Sequence, residues 1–327
     1  MPSSQVVIAV DVGGTEIKAA LVSGCADGDG ADLREVRKLR RATPKLPDGT
    51  ETADAVVDAV CDIVAELGEG VRPDAVGVVV PGLVDDQRRV GIFSANLGWR
   101  DYPFGDAFAA KIPFPLAFGH DVRAGGLAEA RLGAGRGLED LVVLPIGTGI
   151  AGALILGGRP HSGGGYAGEI GHLVIADGPE CACGQRGCLE LIASSSAVAR
   201  RYTERTGKAV SGAVDVAAAL REGDEDAKVV WGDAVDALAK AIAQLATVIA
   251  PQAVVLGGGL AMAGELLTGP LDARLDELIT IQRRPALRQA ALGDRAGCLG
   301  AALMAIGAAE TAEAVDAVDA DVAEEDR

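Results

Sequence analysis

Two short apolar runs, each stopped by a glycine turn and each followed by a second β-type run, stand far apart in this 327-residue chain. The first is "VVIAVDVGG" (Val6–Gly14) leading into "EIKAALVSG" (Glu16–Gly24), and the second is "LVVLPIGTGIAGALILGG" (Leu141–Gly158). A β-type run ending in glycines and resuming as a β-type run reads as a hairpin. A third turn, in "AVVLGGGLAMAGELL" (Ala253–Leu267), joins a strand to a helix through Gly257, Gly258 and Gly259. Two strand–Gly–strand turns and one strand–Gly–helix turn in this order point to an α/β chain built of two duplicated halves. A glycine turn lets backbone N–H groups approach a phosphate with no Cβ in the way. Each turn taken singly also reads as an ordinary tight turn.

A dinucleotide-binding reading of "GTGIAG" (Gly147–Gly152) fails, although Glu169 lies about twenty residues on as that fold requires. The glycines run into "ALILGG", a β-type stretch, where a helix N-terminus is needed. "CADGDGAD" turns the chain but is no calcium loop, with Ala31 and Lys38 at two of the ligand positions. Apolar residues at helical spacing predict a helix over Thr52–Leu67, and "AVGVVVPG" (Ala75–Gly82) a strand. "GHDVRAGGLAEARLG" (Gly119–Gly133) reads as a strand end followed by a helix. Further helices are expected at Ser194–Thr203 (capped by its serine run), Val214–Leu220, Asp226–Ile249, and from Gly297 to about Ala308. The Ala-, Asp- and Glu-rich residues 310–327 read as a disordered acidic tail.

Length favours two domains. A net charge of −17 argues against nucleic acid as a partner. It leaves room for a small anion held by backbone amides and a metal ion. The N-terminus lacks a charged signal region, and nowhere do about 18 apolar residues run together. A soluble cytoplasmic protein is the expectation. Its six cysteines then read as thiols or metal ligands rather than a disulfide frame.

Three of those cysteines crowd into "GHLVIADGPECACGQRGCLE" (Gly171–Glu190). His172, Cys181, Cys183 and Cys188 offer one nitrogen and three sulfurs, the donor set of a closed structural Zn²⁺ site. Such a site leaves no open position for Lewis-acid chemistry. Its work is positional: it ties Glu169 and His172 to Glu190, groups suited to the vicinal hydroxyls of a sugar.

The motifs "DVGGTEIK", "PGLV", "NLGW", "GHDVRAGG", "GTGIAGA", "GYAGEIGHLVI", "CACGQRGCLE" and "VVLGGGLA" occur in this order from Ile8 to about Ala308. In this the chain resembles the ROK (repressor, ORF, kinase) family. The resemblance implies a two-domain actin-like/ribonuclease H-like ATPase fold, with duplicated βββαβα halves around an interdomain cleft. It implies a small domain over residues 1–118, completed by the helix at 297–309, and a large domain over 119–296 that carries the zinc knot and a dimerisation surface. It further implies an ATP-dependent hexose kinase, most simply a glucokinase, that uses Mg²⁺ with its ATP and assembles as a homodimer or homotetramer. N-acetylmannosamine, N-acetylglucosamine, fructose and mannose are the alternative substrates. The family's sugar-sensing regulators carry an N-terminal DNA-binding helix pair, for which "MPSSQVV" leaves no room. A non-catalytic sugar-binding protein is the remaining reading.

Carried over residue by residue, the resemblance gives nucleotide and Mg²⁺ contacts to Asp11, Gly13, Gly14, Thr15, Lys18, Gly147, Thr148, Gly149, Gly257, Gly258 and Gly259. Sugar contacts fall to Gly82, Asn96, His120, Asp121, Glu169, His172 and Glu190. Asp121 opens a helix just after a strand; by residue type alone it is equally a helix cap or a general base. Alignment with the family's catalytic aspartate favours the base. The family usually reads Glu-Asn-Asp-Ala-Asn where this chain has "GHDVR". His120 therefore stands in place of an asparagine that bonds a sugar hydroxyl, and Arg123 in place of another. The reaction class survives this departure; the identity of the sugar is what it leaves open.

Overall fold

The computed structural model describes residues 4–27 and 30–325. They form two compact units. The first comprises Met1–Leu132, Ser162–Ala167 and Asp294–Arg327, and the second Gly133–His161 and Gly168–Gly293.

The first unit opens with β1 (Gln5–Val12), β2 (Glu16–Asp27) and β3 (Gly30–Ala42), followed by α1 (Gly49–Leu67) and β4 (Ala75–Val80). A small meander of β5 (Leu83–Asp85), β6 (Val90–Phe93) and β7 (Arg100–Tyr102) comes next, then α2 (Phe104–Ala109), β8 (Leu116–His120) and α3 (Asp121–Arg131). The main sheet has the order β3-β2-β1-β4-β8. β1 pairs antiparallel with β2 and parallel with β4, and β4 pairs parallel with β8. α1 is capped by Asp48, which accepts from the Thr50 and Glu51 amides, and it buries Val56, Val57, Val60, Ile63 and Leu67 against the sheet. Each such side chain contributes about 1.5–3 kcal/mol on leaving water.

The second unit repeats the plan. Its strands are β9 (Leu141–Pro145), β10 (Ala153–Leu156) and β11 (Arg159–Pro160), and the helices α4 (Glu190–Ala193), α5 (Ser195–Thr206), α6 (Ala213–Arg221) and α7 (Glu225–Val248) follow. β12 (Ala253–Gly257), α8 (Gly258–Ala261), α9 (Glu265–Leu278) and β13 (Ala286–Gln289) complete it. The sheet order is β11-β10-β9-β12-β13, with the antiparallel and parallel pairings in the same places as in the first unit. Two sheets with the same order and the same directions are the duplicated halves that the glycine turns foretold.

The structure differs from the sequence reading at two boundaries. α3, which follows residue 118, lies in the first unit. Small residues hold it there: a Cβ at Gly300 of the C-terminal helix would stand 2.0 Å from the Ala124 carbonyl oxygen, and Ala124 shares a buried cluster with Cys298, Ala301 and Ala305. The C-terminal helix itself runs Ala296–Glu325, through most of the stretch read as a disordered tail. Alanine and glutamate are strong helix formers, and no proline interrupts them. Residues 326–327 lie outside the described residues. No described helix is long and apolar enough to cross a membrane.

Candidate active site

In the first unit, Asp11 is the penultimate residue of β1, whose hairpin turns through Gly13 and Gly14. The Gly13 amide closes the turn on the Glu16 carbonyl at 2.9 Å, while Thr43 Oγ1 donates to the Gly13 carbonyl at 2.7 Å. This leaves the Gly14 and Thr15 amides at the apex. Asn96, from the turn between β6 and β7, lies beside that apex, its Cβ and Nδ2 each 3.9 Å from where a Gly14 Cβ would be. Gly82 follows β4 with φ +100°, a conformation that L side chains rarely adopt.

Asp11 packs against the start of the C-terminal helix. A Cβ at Gly297 would meet its Oδ2 at 2.5 Å, so glycine is what allows the carboxylate to sit there. Burial raises the Asp11 pKa to about 6, with Lys18 opposing the rise and Asp294 adding to it. Lys18, one of the expected nucleotide contacts, places its Nζ 3.1 Å from the Asp294 carbonyl oxygen and 3.7 Å from its Oδ2.

β8 delivers His120 and Asp121 to the start of α3. His120 is the helix cap: its Nδ1 accepts from the Arg123 amide at 3.4 Å. Its Nε2 lies 3.1 Å from Asp121 Oδ1, which also accepts from the Val122 amide at 2.7 Å. The ring is 7% exposed, and its Nδ1 is hydrogen-bonded inside the protein. One of its two nitrogens is thus engaged by the cap of α3. Arg123 is buried as well. It donates to both oxygens of Asp86, at 2.9 and 3.1 Å, and to the Val84 carbonyl at 2.6 Å, so it serves β5 and its following turn. Burial first, and then the Asp11 charge, raise the Asp121 pKa to about 8. Burial and the Arg123 charge push His120 down to about 3, so the imidazole is neutral.

In the second unit three segments meet. The Ile146 amide donates to the Gly257 carbonyl at 2.9 Å, and the Leu260 amide donates to the Ile146 carbonyl at 3.2 Å, which binds the two glycine turns together. Ser195 closes the group, its amide on the Gly147 carbonyl at 2.9 Å and its Oγ on the Ile146 carbonyl at 3.1 Å. Ser196 Oγ donates to the Thr148 carbonyl. Gly147, Thr148 and Gly149 are thus brought together with Gly257, Gly258 and Gly259. The serines belong to this group although sequence reasoning gave them only a capping role. That role is real, since Ser194 Oγ caps α5 at the Ala197 amide. The available signal was the serine run itself, with more hydroxyls than one cap uses.

Glu190 reaches the same turn. Its Oε2 accepts from the Ile150 amide at 2.9 Å and lies 2.3 Å from a would-be Gly149 Cβ. Two residues before it, Cys188 is part of the cysteine knot. His172 Nδ1, Cys181, Cys183 and Cys188 hold their donor atoms within 4.8 Å of one another. The Cys183 and Cys188 sulfurs are 3.6 Å apart, and the Cys181 sulfur lies 3.7 Å from His172 Nδ1. A tetrahedral ion with bonds of about 2.0–2.3 Å calls for donor separations of about 3.5–3.8 Å, so the residues fit zinc. Burial and the neighbouring sulfurs push Cys188 up to about 12, and a hydrogen bond with the Gln185 backbone brings Cys183 down. Three sulfurs and an imidazole nitrogen gathered this closely could hold a cation. His172 turns its other nitrogen, Nε2, toward Glu169 Oε2 at 4.0 Å.

Paired sheets of this order, with glycine hairpins at their first turns and a carboxylate opening the helix after β8, define an actin-like ATPase fold. A family model described as "ROK family" matches residues 7–308, and the chain belongs to the ROK family. It is 34% identical to a glucokinase of Thermotoga maritima over 83% of this chain and 87% of that one. Among solved structures it is similar to a ROK hexokinase from Thermus thermophilus, with a TM-score of 0.77 and 34% identity over 92% of this chain and 97% of that one. It is also similar to a ROK family glucokinase from Streptomyces griseus, solved in complex with glucose and AMPPNP. There the TM-score is 0.74, with 32% identity over 92% of this chain and 99% of that one.

Proposed function

We propose that this protein is an ATP-dependent glucokinase, transferring the γ-phosphoryl group of ATP to the 6-hydroxyl of glucose. The observation that carries the reading is the placement of Asp121, a carboxylate fixed at the start of α3 with its Oδ1 held by the Val122 amide at 2.7 Å, and burial raises its proton affinity. A group of that affinity takes the proton of the 6-hydroxyl as the oxygen attacks the γ-phosphorus. The bond to the β-phosphate oxygen breaks and ADP leaves. Positioned base help of this kind is worth about 10²–10⁴ in rate; the rest of phosphoryl transfer rests on alignment and charge neutralisation.

Asp11 would hold the Mg²⁺ that accompanies ATP, or one of its waters, next to the Gly13–Thr15 turn. The Gly147–Gly149 and Gly257–Gly259 turns supply backbone amides for nucleotide phosphates. Glu169, His172, Glu190, Asn96 and Gly82 are assigned to the sugar. Cys181, Cys183, Cys188 and His172 Nδ1 would hold Zn²⁺, which when bound supplies a fixed scaffold and no step of the reaction. Metal on Nδ1 leaves the His172 proton on Nε2, ready for a hydroxyl or for Glu169. The similarity to glucokinases over most of the chain supports the choice of glucose. The replacement of the family asparagines by His120 and Arg123 is the reason to test other sugars beside it.

A coupled assay of ADP release over glucose, mannose, fructose, N-acetylglucosamine and N-acetylmannosamine decides the matter. The highest kcat/KM is expected with glucose. A higher value with another sugar reassigns the substrate, and turnover with none overturns the kinase reading.

A further inference from the structure

A peptide unit is planar and trans, so the carbonyl of one residue and the N–H of the next point in opposite directions. Whatever holds the carbonyl therefore aims the amide. In the first hairpin turn of the second unit, the Gly147 carbonyl accepts from the Ser195 amide at 2.9 Å, and the Thr148 carbonyl accepts from Ser196 Oγ. Both carbonyls are drawn to the start of α5, and the amides of Thr148 and Gly149 are turned away from it. Neither amide donates to another of the described residues. Successive N–H groups presented in this way form a concavity suited to an anion.

The Ser196 hydroxyl is not needed by the helix it opens. Ser194 Oγ caps α5 at the Ala197 amide at 3.1 Å, and Ser196 itself is exposed. Its one proton is on the Thr148 carbonyl, so in its 3.2 Å contact with Ser194 Oγ it is the acceptor. The base of the turn is fixed separately. The Ile146 carbonyl accepts from Ser195 Oγ at 3.1 Å and from the Leu260 amide at 3.2 Å, and a Cβ at Gly258 would stand 2.4 Å from that oxygen. The tip has less to hold it: glycine at 149 places little steric restriction on the direction of the Thr148–Gly149 peptide. The hydroxyl supplies that direction.

We propose that Ser196 is a positioning residue for the nucleotide: by holding the Thr148 carbonyl it presents the Gly149 amide, beside that of Thr148, to a phosphate oxygen of ATP. Ser196 acts through the backbone and touches no phosphate itself. The group recognised is the phosphate chain, so the serine governs the nucleotide and not the sugar.

The inference rests on the reading of this chain as an ATP-dependent kinase, and the test tells the two apart. Ser196→Ala keeps the Ser194 cap and puts a strong helix former at an exposed position, so the variant is expected to fold with an unchanged melting temperature. Its KM for ATP should rise about three- to tenfold, the span of one hydrogen bond, while kcat and the glucose KM each move by less than about twofold. Ser196→Thr keeps a hydroxyl and should restore the wild-type KM. Without turnover, AMPPNP titrated into ¹⁵N-labelled wild-type protein should shift the Thr148 and Gly149 amide resonances, and it should bind Ser196→Ala about three- to tenfold more weakly. An unchanged ATP KM in Ser196→Ala, an equal rise in the ATP and glucose KM, or failure of Ser196→Thr to restore the KM overturns the proposal and leaves the kinase reading standing. So do amide resonances that stay in place as AMPPNP saturates the wild-type protein. If AMPPNP binds with these shifts and no hexose is phosphorylated, the kinase reading falls and the role of Ser196 survives. If the protein neither binds AMPPNP nor phosphorylates a hexose, both fall.

Discussion

The two halves share a sheet but not a chemistry. In the first, the strand ends carry carboxylates: Asp11 stands one residue before the end of β1 and Asp121 directly follows β8, with proton affinities raised well above ordinary values. In the second, the corresponding region carries glycines and serines. Its first hairpin turn is braced by Glu190, whose Oε2 accepts the Ile150 amide. One half has gathered buried negative charge; the other has gathered backbone amides and hydroxyls. A common topology fixes where functional groups can be placed, and in the proposed reaction residue choice at a few strand ends would decide which half manages protons and which manages phosphate oxygens.

The largest effect that tests this division is expected at Asp121. Asp121→Asn should lower kcat by about 10²–10⁴. The same change should raise the melting temperature of the substrate-free protein near neutral pH. The sign follows from linkage: the folded-state pKa of about 8 exceeds the ordinary value of 3.8, so the folded protein binds this proton more tightly than the unfolded chain. The group's contribution to stability is therefore complete below the unfolded value and declines as pH rises through the folded one. Asparagine removes the buried charge and with it the decline. A variant both inactive and less stable would show that Asp121 is an ordinary cap.

Next comes the metal. Stripping zinc with a chelator, or Cys188→Ser, should abolish activity and expose the second half to proteolysis before the first, with about one zinc recovered per chain from the native protein. Equal susceptibility of both halves would mean that the knot braces more than its own unit.

Two glycines make a matched pair. A methyl group at Gly297 collides with Asp11, and one at Gly149 collides with Glu190. Gly297→Ala should lower kcat, and Gly149→Ala should raise KM, each by about tenfold to a hundredfold as reacting groups shift by about 1 Å. An exchange of these signatures would break the proposed division of labour.

The smallest expected effect is a shift of a pH limb. Because the Asp11 charge helps to raise Asp121, Asp11→Asn should move the acid limb of kcat/KM to lower pH. An unmoved limb would mean that burial alone sets the Asp121 affinity.

Much of this was legible in the chain. The hairpin glycines, the helix of Thr52–Leu67 and the cysteine spacing each express a local rule: a turn that needs glycine, an apolar face at helical spacing, a donor set of fixed chemistry. β3 was not seen, because Gly30–Ala42 is an edge strand crowded with Arg and Lys, which protect an edge without giving the alternation of a half-buried strand. The strands of the β5–β7 meander have only three or four residues, too few for any period to register. The partners of His120 were out of reach for another reason. A residue type lists what a side chain can bond, but the orientation of α3, and with it the fate of Nδ1, depends on Arg123 reaching Asp86 across 37 positions of sequence.

The C-terminal helix has a consequence for how the molecule is made. One face of the first sheet, carrying Val7, Ala9, Ala20 and Val79, is covered by Cys298, Ala301, Ala302, Ala305 and Ile306. These residues follow the second unit in the chain, which ends at Gly293 and has its complete sequence before them. The half translated first is thus the half completed last. During synthesis its bare apolar face waits until the whole second unit has been translated, and this is the interval in which a nascent chain most needs protection from its neighbours.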